Sequence, residues 1–440
     1  MEMISVWSAQ TELPHFDELN SDISADVLVI GGGLAGVLCA RLLTDAGADC
    51  VVAEQKRLCS GVTENTTAKI TAQHGLIFDE LIRRFGEKKA ELYLSANLQA
   101  VEDYAAFCEN IGCGFERRSS YVYTLSHDEK IKRESQALTS LGADSVFASG
   151  DELEIDVNCA VGLKNQAQFQ PLEFVKGIVG GLHIFENTKV LRIDGTTAVT
   201  SKGRIKAKNI IVATHFPFIN THGLFSLKMY QRRSYVIAVE GAEQPQGMYI
   251  DEEQGGISLR SFENLLLIGG AGNRTGKPCG AWESLRAFAA EKYPGSREKY
   301  HWAAQDCMTL DGMPYIGHYS PHTPGLYVAT GFNKWGMTSS MVAAKLLRDM
   351  ILGRENELED LLSPGRSMMH KQLLLNAFEY AGSLLSPSAK RCPHLGCRLK
   401  WNSAEHSWDC PCHGSRFTSE GGLLDNPATG DLKHKNKKGD

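Results

Sequence analysis

Residues 25–55 read ADVLVIGGGLAGVLCARLLTDAGADCVVAEQ. Two apolar runs of strand length enclose a glycine turn and an Ala/Leu-rich segment, so this stretch predicts strand, turn, helix and strand. Gly31, Gly33 and Gly36 have the spacing G-x-G-x-x-G, which lets the backbone approach a pyrophosphate at a helix N-terminus. Glu54 ends the second run, where its carboxylate would bind ribose hydroxyls and disfavour the 2′-phosphate of NADP. We therefore predict a Rossmann-type dinucleotide-binding domain.

Length and composition narrow the possible classes of protein. The chain has 440 residues, enough for two or three domains, and 52 acidic against 46 basic side chains, a balance that argues against nucleic-acid binding. No apolar run is long enough to span a bilayer, and residues 1–24 are polar and acidic rather than signal-like. We expect a cytoplasmic protein without a transmembrane segment.

Beyond the first domain, the pattern predicts a second, mixed unit. Residues 61–75 form a small, polar loop that could bring backbone close to a flat ring system, and residues 79–109 have helical periodicity. Residues 218–268 alternate as strands do and predict a sheet. Gly270 and Gly272 also follow a strand, but Thr275 occupies the sixth position of that motif, so we interpret this segment as a structural turn.

Several of these segments together resemble the D-amino-acid oxidase/glycine oxidase group of FAD-dependent oxidoreductases. The resemblance covers about residues 26–353 and rests on the glycine turn with Glu54, loop 61–69, the strand end at 213–214, and segments 311–314 and 331–338. It implies FAD rather than NAD, with residues 331 and 336–338 at the pyrimidine edge of the flavin. The cofactor-binding residues that it implies are Gly31, Gly33, Gly36, Glu54, Thr67, Ala68, Val190, Ala213, Thr214, Asp311, Gly331, Gly336, Met337 and Thr338.

The catalytic residues are less well defined by the sequence. Lys69, His74, Arg274 and Lys334 are polar residues beside glycine-rich corners and are candidates to line the substrate slot. Lys69 could tune the flavin or an oxygen-reactive site, and Arg274 could clamp a carboxylate. Ordinary surface or structural roles are the alternative for each of them. No general base can be named.

The C-terminal region contains a cysteine–histidine cluster. Cys392 and His394 form a C-x-H box, and after fifteen intervening residues Cys410 and His413 form a C-x-x-H box. This pattern resembles a Rieske [2Fe–2S] centre, in which two thiolates hold one iron and two imidazoles the other. By that resemblance these four residues are the metal ligands, and a possible disulfide joins Cys397 and Cys412, although reduced cytosolic thiols would argue against it. The same four ligands could bind zinc instead.

The expected fold class is α/β: a Rossmann-like FAD-binding domain with an inserted α+β substrate domain, and a small all-β Rieske-type domain. We expect the FAD-binding domain in residues 1–90, 151–217 and 301–362, and the substrate domain in residues 91–150 and 218–300. A linker helix would occupy residues 363–385. The Rieske domain, residues 386–440, is shortened, because few residues precede Cys392, and ends in a Lys-rich tail at 433–438.

These features predict an enzyme that oxidises an amine or amino acid by hydride transfer to flavin. Single electrons would then pass through the Rieske cluster to a redox protein or a quinone. One alternative is an electron-transfer reductase that takes hydride from NADH. Another is a non-enzymatic redox or zinc-binding module.

Overall fold

The computed structural model describes residues 3–126, 128–219, 222–386 and 390–432, so the Lys-rich tail lies outside the described residues. The helices are α1 (Val6–Gln10), α2 (Leu34–Asp45), α3 (Phe78–Phe85), α4 (Glu87–Cys108), α5 (Glu129–Ser140), α6 (Pro171–Ile178), α7 (Phe225–Lys228), α8 (Ala281–Lys292), α9 (Gly336–Ile351), α10 (Leu358–Leu362) and α11 (Lys371–Leu385). A 3₁₀ helix spans Thr63–Asn65.

The strands are β1 (Ile23–Ile30), β2 (Cys50–Ala53), β3 (Lys69–Ile70), β4 (Glu116–Thr124), β5 (Ser145–Ala148), β6 (Cys159–Gln168), β7 (His183–Phe185), β8 (Val190–Asp194), β9 (Thr197–Thr200), β10 (Arg204–Val212), β11 (Met229–Glu240), β12 (Met248–Asp251), β13 (Ser258–Phe262), β14 (Leu265–Arg274), β15 (Arg297–Thr309), β16 (Tyr315–His318), β17 (Leu326–Thr330), β18 (Lys400–Asn402), β19 (Ser407–Asp409), β20 (Arg416–Thr418) and β21 (Leu423–Asp425). They form three sheets.

The first sheet has the Rossmann-like order β16-β17-β10-β1-β2-β7, in which β1 pairs in parallel with both β2 and β10. The predicted strand, turn, helix and strand are β1, the glycine turn, α2 and β2. A Cβ atom on Gly36 would lie 1.9 Å from the carbonyl oxygen of Gly31, so only glycine lets α2 pack this closely on the strand end. Gly31 has φ +110°, a conformation that other residues rarely adopt. The predicted fold class is confirmed for this half.

The second sheet has the order β15-β11-β14-β13-β12-β4-β6-β3, with β5 on β6. Strand β6 pairs antiparallel with β4, and β15 pairs along its length with β11. Residues 159–168 and 301–309, which we expected in the FAD-binding domain, therefore pair in this sheet. A buried strand has the same apolar pattern in either sheet, so its partner is not visible in the sequence. The helical pattern of residues 79–109 corresponds to two helices, α3 and α4, which are separated at Gly86, where φ is +83°.

The third sheet is small and antiparallel, with the chain-order topology β18-β19-β20-β21. All four strands follow Cys392, and α11 precedes it. This unit packs on β11: the Arg233 guanidinium pairs with the buried carboxylate of Glu405, which also pairs with Arg416. The C-terminal domain thus rests directly on the second sheet. Among the described residues, no helix combines the length and apolar character needed to cross a membrane.

Candidate cofactor sites

A cavity of about 480 Å³ lies at the carboxyl ends of the parallel strands β1, β2, β10 and β17. Its position is the one at which open α/β sheets bind their ligands. The predicted cofactor-binding residues that line it are Gly31, Gly33, Glu54, Val190, Ala213, Thr214, Gly331, Gly336 and Met337. Residues far apart in the chain thus meet around one space.

The dinucleotide end of the cavity combines a helix N-terminus with a fixed carboxylate. Leu34 and Ala35, in the first turn of α2, line the cavity, so the positive end of the helix dipole faces it. Glu54 is held by the backbone N–H groups of Gly32 and Lys56, at 2.7 and 2.8 Å. Burial raises the pKa of this carboxyl. The donor and acceptor types fit a pyrophosphate beside a ribose.

Four of the predicted cofactor-binding residues do not line the cavity but make hydrogen bonds elsewhere. Thr67 and Ala68 present their carbonyls to Nη1 of the buried Arg260, each at 2.8 Å. Ala68 has φ +52°, so this clamp holds the loop in a conformation that alanine seldom adopts. Sequence reasoning missed Arg260, whose only signal is a basic residue within an alternating strand. We infer that Arg260 sets the path of the loop.

Asp311 and Thr338 are the other two predicted residues that lie outside the cavity lining. Both carboxylate oxygens of Asp311 accept hydrogen bonds from Arg366, at 2.7 and 2.8 Å. Thr338 donates to the carbonyl of Thr71 at 3.0 Å and contacts His74. Burial lowers the pKa of His74 to about 3, so its ring is neutral and belongs to the core. These residues do not line the cavity, and neither does Gly36, which packs against the carbonyl of Gly31.

Arg274 is placed differently from our expectation. Its guanidinium donates to the carbonyls of Pro411 and Cys412, at 2.8 and 2.9 Å, and to Asn376 at 2.9 Å. Strand β14 extends past the cavity and carries Arg274 to the C-terminal domain. Its donors hold the second cysteine–histidine box, so the predicted carboxylate clamp is not supported.

Lys69 is buried without a carboxylate partner among the described residues. Its Nζ lies 3.4 Å from the hydroxyls of Thr67 and Ser258. Burial, assisted by the nearby Arg260 charge, lowers its pKa to about 7. It therefore remains a candidate for tuning a cofactor near loop 61–75.

We expect Lys69→Met to raise the free energy of unfolding by on the order of 2–4 kcal/mol near pH 6, because burying the charged ammonium opposes folding. Between about pH 7 and the ordinary value of 10.5, the unfolded chain binds the proton and the folded chain does not. Wild-type stability therefore rises with pH across this window, and the advantage of the variant vanishes near its upper end. Denaturant titrations across this pH window, with exposed Lys88→Met as control, would measure the difference in free energy of unfolding between variant and wild type. A pH-independent difference would contradict the assignment.

Three titratable residues lie on the cavity wall, and only one of them was predicted from the sequence. Lys334, a predicted candidate, lines the cavity together with Asp306 and His215. Burial raises the pKa of Asp306, while the positive charge of Lys334 opposes that rise. Burial lowers the pKa of His215, whose Nε2 has no hydrogen-bond partner in the part of the chain that the structure describes. Asp306 and His215 have no sequence motif to mark them.

The four predicted metal ligands come together on two matching loops. In the first loop, the N–H of Gly396 donates to the carbonyl of Cys392 at 2.9 Å, and in the second, that of Gly414 donates to Cys410 at 2.9 Å. The rings of His394 and His413 are 5.0 Å apart. The thiol of Cys410 and nearby N–H groups lower the pKa of Cys392 to about 7, despite burial. Thiolate is the form that binds metal.

The donor set fits a two-iron cluster. Nδ1 of His413 is buried and has no hydrogen-bond partner within the described ranges, as expected of an atom reserved for a metal. The Ser415 hydroxyl is hydrogen-bonded to the Cys392 thiol. The structure pairs Cys397 with Cys412 in a disulfide that joins the two loops. The sulfurs of Cys397, Cys410 and Cys412 lie within 4.8 Å of one another, but the disulfide removes two of them as zinc ligands.

Comparison with known proteins agrees with both sites. The family model for FAD-dependent oxidoreductases (DAO) matches residues 26–350, and the Rieske [2Fe-2S] domain model matches residues 353–435, a range that includes α11. A putative Rieske 2Fe-2S iron–sulfur protein, YhfW of Bacillus subtilis, is 35% identical over 97% of this chain and 96% of its own. Gamma-glutamylputrescine oxidoreductase of Escherichia coli is 21% identical, over 77% of this chain and 86% of its own.

Solved structures share the fold. Glycine oxidase from Geobacillus kaustophilus is 18% identical, with a TM-score of 0.66 over 78% of this chain and 99% of that chain. L-proline dehydrogenase from P. horikoshii is 19% identical, with a TM-score of 0.66 over 79% of this chain and 98% of that chain. Because the DAO model spans most of the sequence, the chain belongs to the FAD-dependent oxidoreductase family, and it carries a C-terminal Rieske [2Fe–2S] domain.

Proposed function

We propose that this oxidoreductase removes hydride from an amine or amino acid and delivers the electrons one at a time, through its Rieske cluster, to an external acceptor. The observation that carries the proposal is the thinness of the wall between the two sites. Asp306 and Gln305 are consecutive on β15. Asp306 lines the cavity, whereas Nε2 of Gln305 donates to the carbonyl of Gly414, beside the proposed metal ligand His413, at 2.8 Å.

Successive side chains of a strand point to opposite faces. One backbone strand therefore separates the cavity from the second cluster loop at this point. On the neighbouring strand β11, Nε2 of Gln231 donates to the carbonyl of His413 at 2.8 Å, and Oε1 of Gln231 accepts from Gln305 at 3.0 Å. This pair of glutamines ties the cluster loop to the cavity wall.

A second connection supports the same route. Thr214 and His215 line the cavity, and the next residue, Phe216, packs against the ring of His413 with centroids 6.4 Å apart. Two segments distant in sequence thus link the cavity lining to one proposed iron ligand. We infer that electrons enter the cluster on its His413 side.

The cavity wall supplies groups suited to an amine or amino acid. When bound, FAD accepts the hydride. The Asp306 carboxylate can hold an ammonium group and Lys334 a carboxylate. Because burial lowers the pKa of His215 below its ordinary 6.5, its ring is neutral at pH 7 and able to accept a proton. We propose His215 as the base that sequence reasoning could not name.

The solvent-exposed side of the cluster site supports the proposal that the electrons pass to an external acceptor. Pro393 and Leu395, which flank His394 in the first loop, are exposed. A redox protein or a quinone could approach there. The NADH-reductase alternative is not supported, since Gly270 and Gly272 lie inside β14 of the second sheet rather than in a turn, and the next helix, α8, begins only at Ala281.

Anaerobic mixing with a panel of amines and amino acids, with NADH as control, tests this proposal. We expect a member of the panel to bleach the flavin absorbance, followed by an electron paramagnetic resonance signal of the reduced cluster. Hydride carries two electrons, so two one-electron passages to an acceptor complete a turnover. Bleaching by NADH alone would favour the reductase. Bleaching without a cluster signal would refute the relay.

A further inference from the structure

We propose that the C-terminal domain forms one wall of the FAD site, so that residues 423–431 cover the adenosine end of the cofactor. A Rieske domain is expected to bind an iron–sulfur cluster. The glycine turn that is expected to bind FAD lies in the other half of the chain. Yet Leu423 to Asn426 and Ala428 to Asp431 line the same cavity as Gly31 and Glu54. The proposal requires that FAD occupy this cavity; it is independent of substrate and acceptor.

The position of the segment identifies the part of FAD that it covers. Glu54 is the group placed to bind a ribose, and Lys56, Lys189 and Val190 line the cavity around it. Nζ of Lys56 donates to the carbonyl of Leu424 at 3.3 Å, and Nζ of Lys189 donates to that of Thr429 at 2.7 Å. The segment therefore lies across the ribose end of the cavity, and two lysines on the rim of the cavity bond to it.

Asn426 fixes the segment to the strand end at the opposite rim. Its Nδ2 donates to the carbonyls of Thr214 and Phe216, at 2.7 and 2.9 Å. Its own carbonyl accepts from Nε2 of Gln231 at 2.9 Å. Both Asn426 and Thr214 line the cavity, so these hydrogen bonds join the two halves of the chain along a seam in the cavity wall.

The segment is also tied to the cluster loops. The N–H of Ala428 donates to Oγ of Ser415 at 3.0 Å, and Asp425 pairs with Arg416 at 3.0 Å. Ser415 in turn contacts the thiol of Cys392. The wall of the flavin cavity is therefore built on the same loop that supports the cluster. FAD release requires this segment to move.

The test uses the full-length holoenzyme and follows the increase of flavin fluorescence when FAD dissociates after dilution. Asn426→Ala removes both bonds across the seam, and we expect about a tenfold faster release, which corresponds to about 1.4 kcal/mol. Leu424→Ala removes an apolar side chain from the lining without breaking a hydrogen bond of that side chain. We expect it to accelerate release several-fold.

Exposed Ser419→Ala, in the same domain and outside the cavity lining, serves as control. Cluster absorbance and unfolding midpoint are recorded for each variant to show that the domain is intact. If Asn426→Ala loses its cluster, Leu424→Ala alone decides. Wild-type release rates in a folded, cluster-containing Leu424→Ala variant, or equal acceleration by Ser419→Ala, would overturn the proposal. Because no turnover is measured, failure here is distinguishable from failure of the proposed reaction.

Discussion

Replacing Glu405 by alanine is expected to lower the free energy of unfolding by about 3–5 kcal/mol, the typical cost of breaking a buried ion pair. The Glu405 side chain is only 1% exposed, and its Oε2 lies 2.7 Å from Nη2 of Arg416. Its Oε1 accepts from Nε of Arg233 at 2.9 Å. The substitution leaves Arg233 without its acidic partner at the junction between the second sheet and the C-terminal domain. Denaturant titration would measure the loss.

Exposed Glu420→Ala is the matched control, since a carboxylate at the solvent-exposed surface contributes little to stability. The pH dependence gives a second check. Burial would raise the pKa of Glu405, but Arg233 and Arg416 outweigh it and lower the pKa from 4.5 to about 2. The contribution of ionised Glu405 to the free energy of unfolding is therefore complete above about pH 4.5 and is lost as pH falls towards 2. A difference between wild type and variant that stays constant over this range would contradict the assignment.

Substituting Cys410 by alanine is expected to remove the cluster, with iron falling from about two atoms per chain to near zero. Cys410 is a buried ligand candidate, and alanine cannot replace its thiolate. Reduction of the flavin by substrate should persist, whereas electron delivery to a one-electron acceptor should fall to background. Iron analysis, electron paramagnetic resonance and stopped-flow absorbance would separate these effects.

Cys279→Ala is the control, because Cys279 is an exposed, free cysteine remote in sequence from both boxes. FAD content and unfolding midpoint must also be compared, since the second loop contacts the cavity wall through Gln231 and Gln305. An iron-free Cys410→Ala variant that still delivers electrons at the wild-type rate would eliminate the relay.

The features that sequence reasoning recovered are those encoded locally. The turn Gly31 to Gly36 and the two cysteine–histidine boxes depend on spacing within a few residues, so their geometry follows from backbone sterics and ligand chemistry. The position of Glu54 beside this turn could also be predicted, because the connection from the turn to the end of strand β2 has a predictable length.

The features that were missed depend on contacts between distant segments. Arg274 was assigned to the substrate slot because it follows glycines, but the docking of the C-terminal domain gives its donors a different acceptor. Asp311 pairs with Arg366, more than fifty residues away, and that pairing has no periodic signal. Asp306 and His215 become neighbours of Lys334 only when β10, β15 and the segment before α9 converge on the cavity.

The glutamine pair on β11 and β15 has a consequence for the rate of electron delivery. Gln231, Gln305 and the buried Arg233–Glu405 pair hold the cluster loops against the cavity wall in the resting arrangement. Under the proposed relay, an electron that leaves the flavin would therefore meet the cluster without a swinging carrier domain or a diffusive search. Transfer inside the chain should be insensitive to solvent viscosity, and thickening the medium should slow only the encounter with the external acceptor.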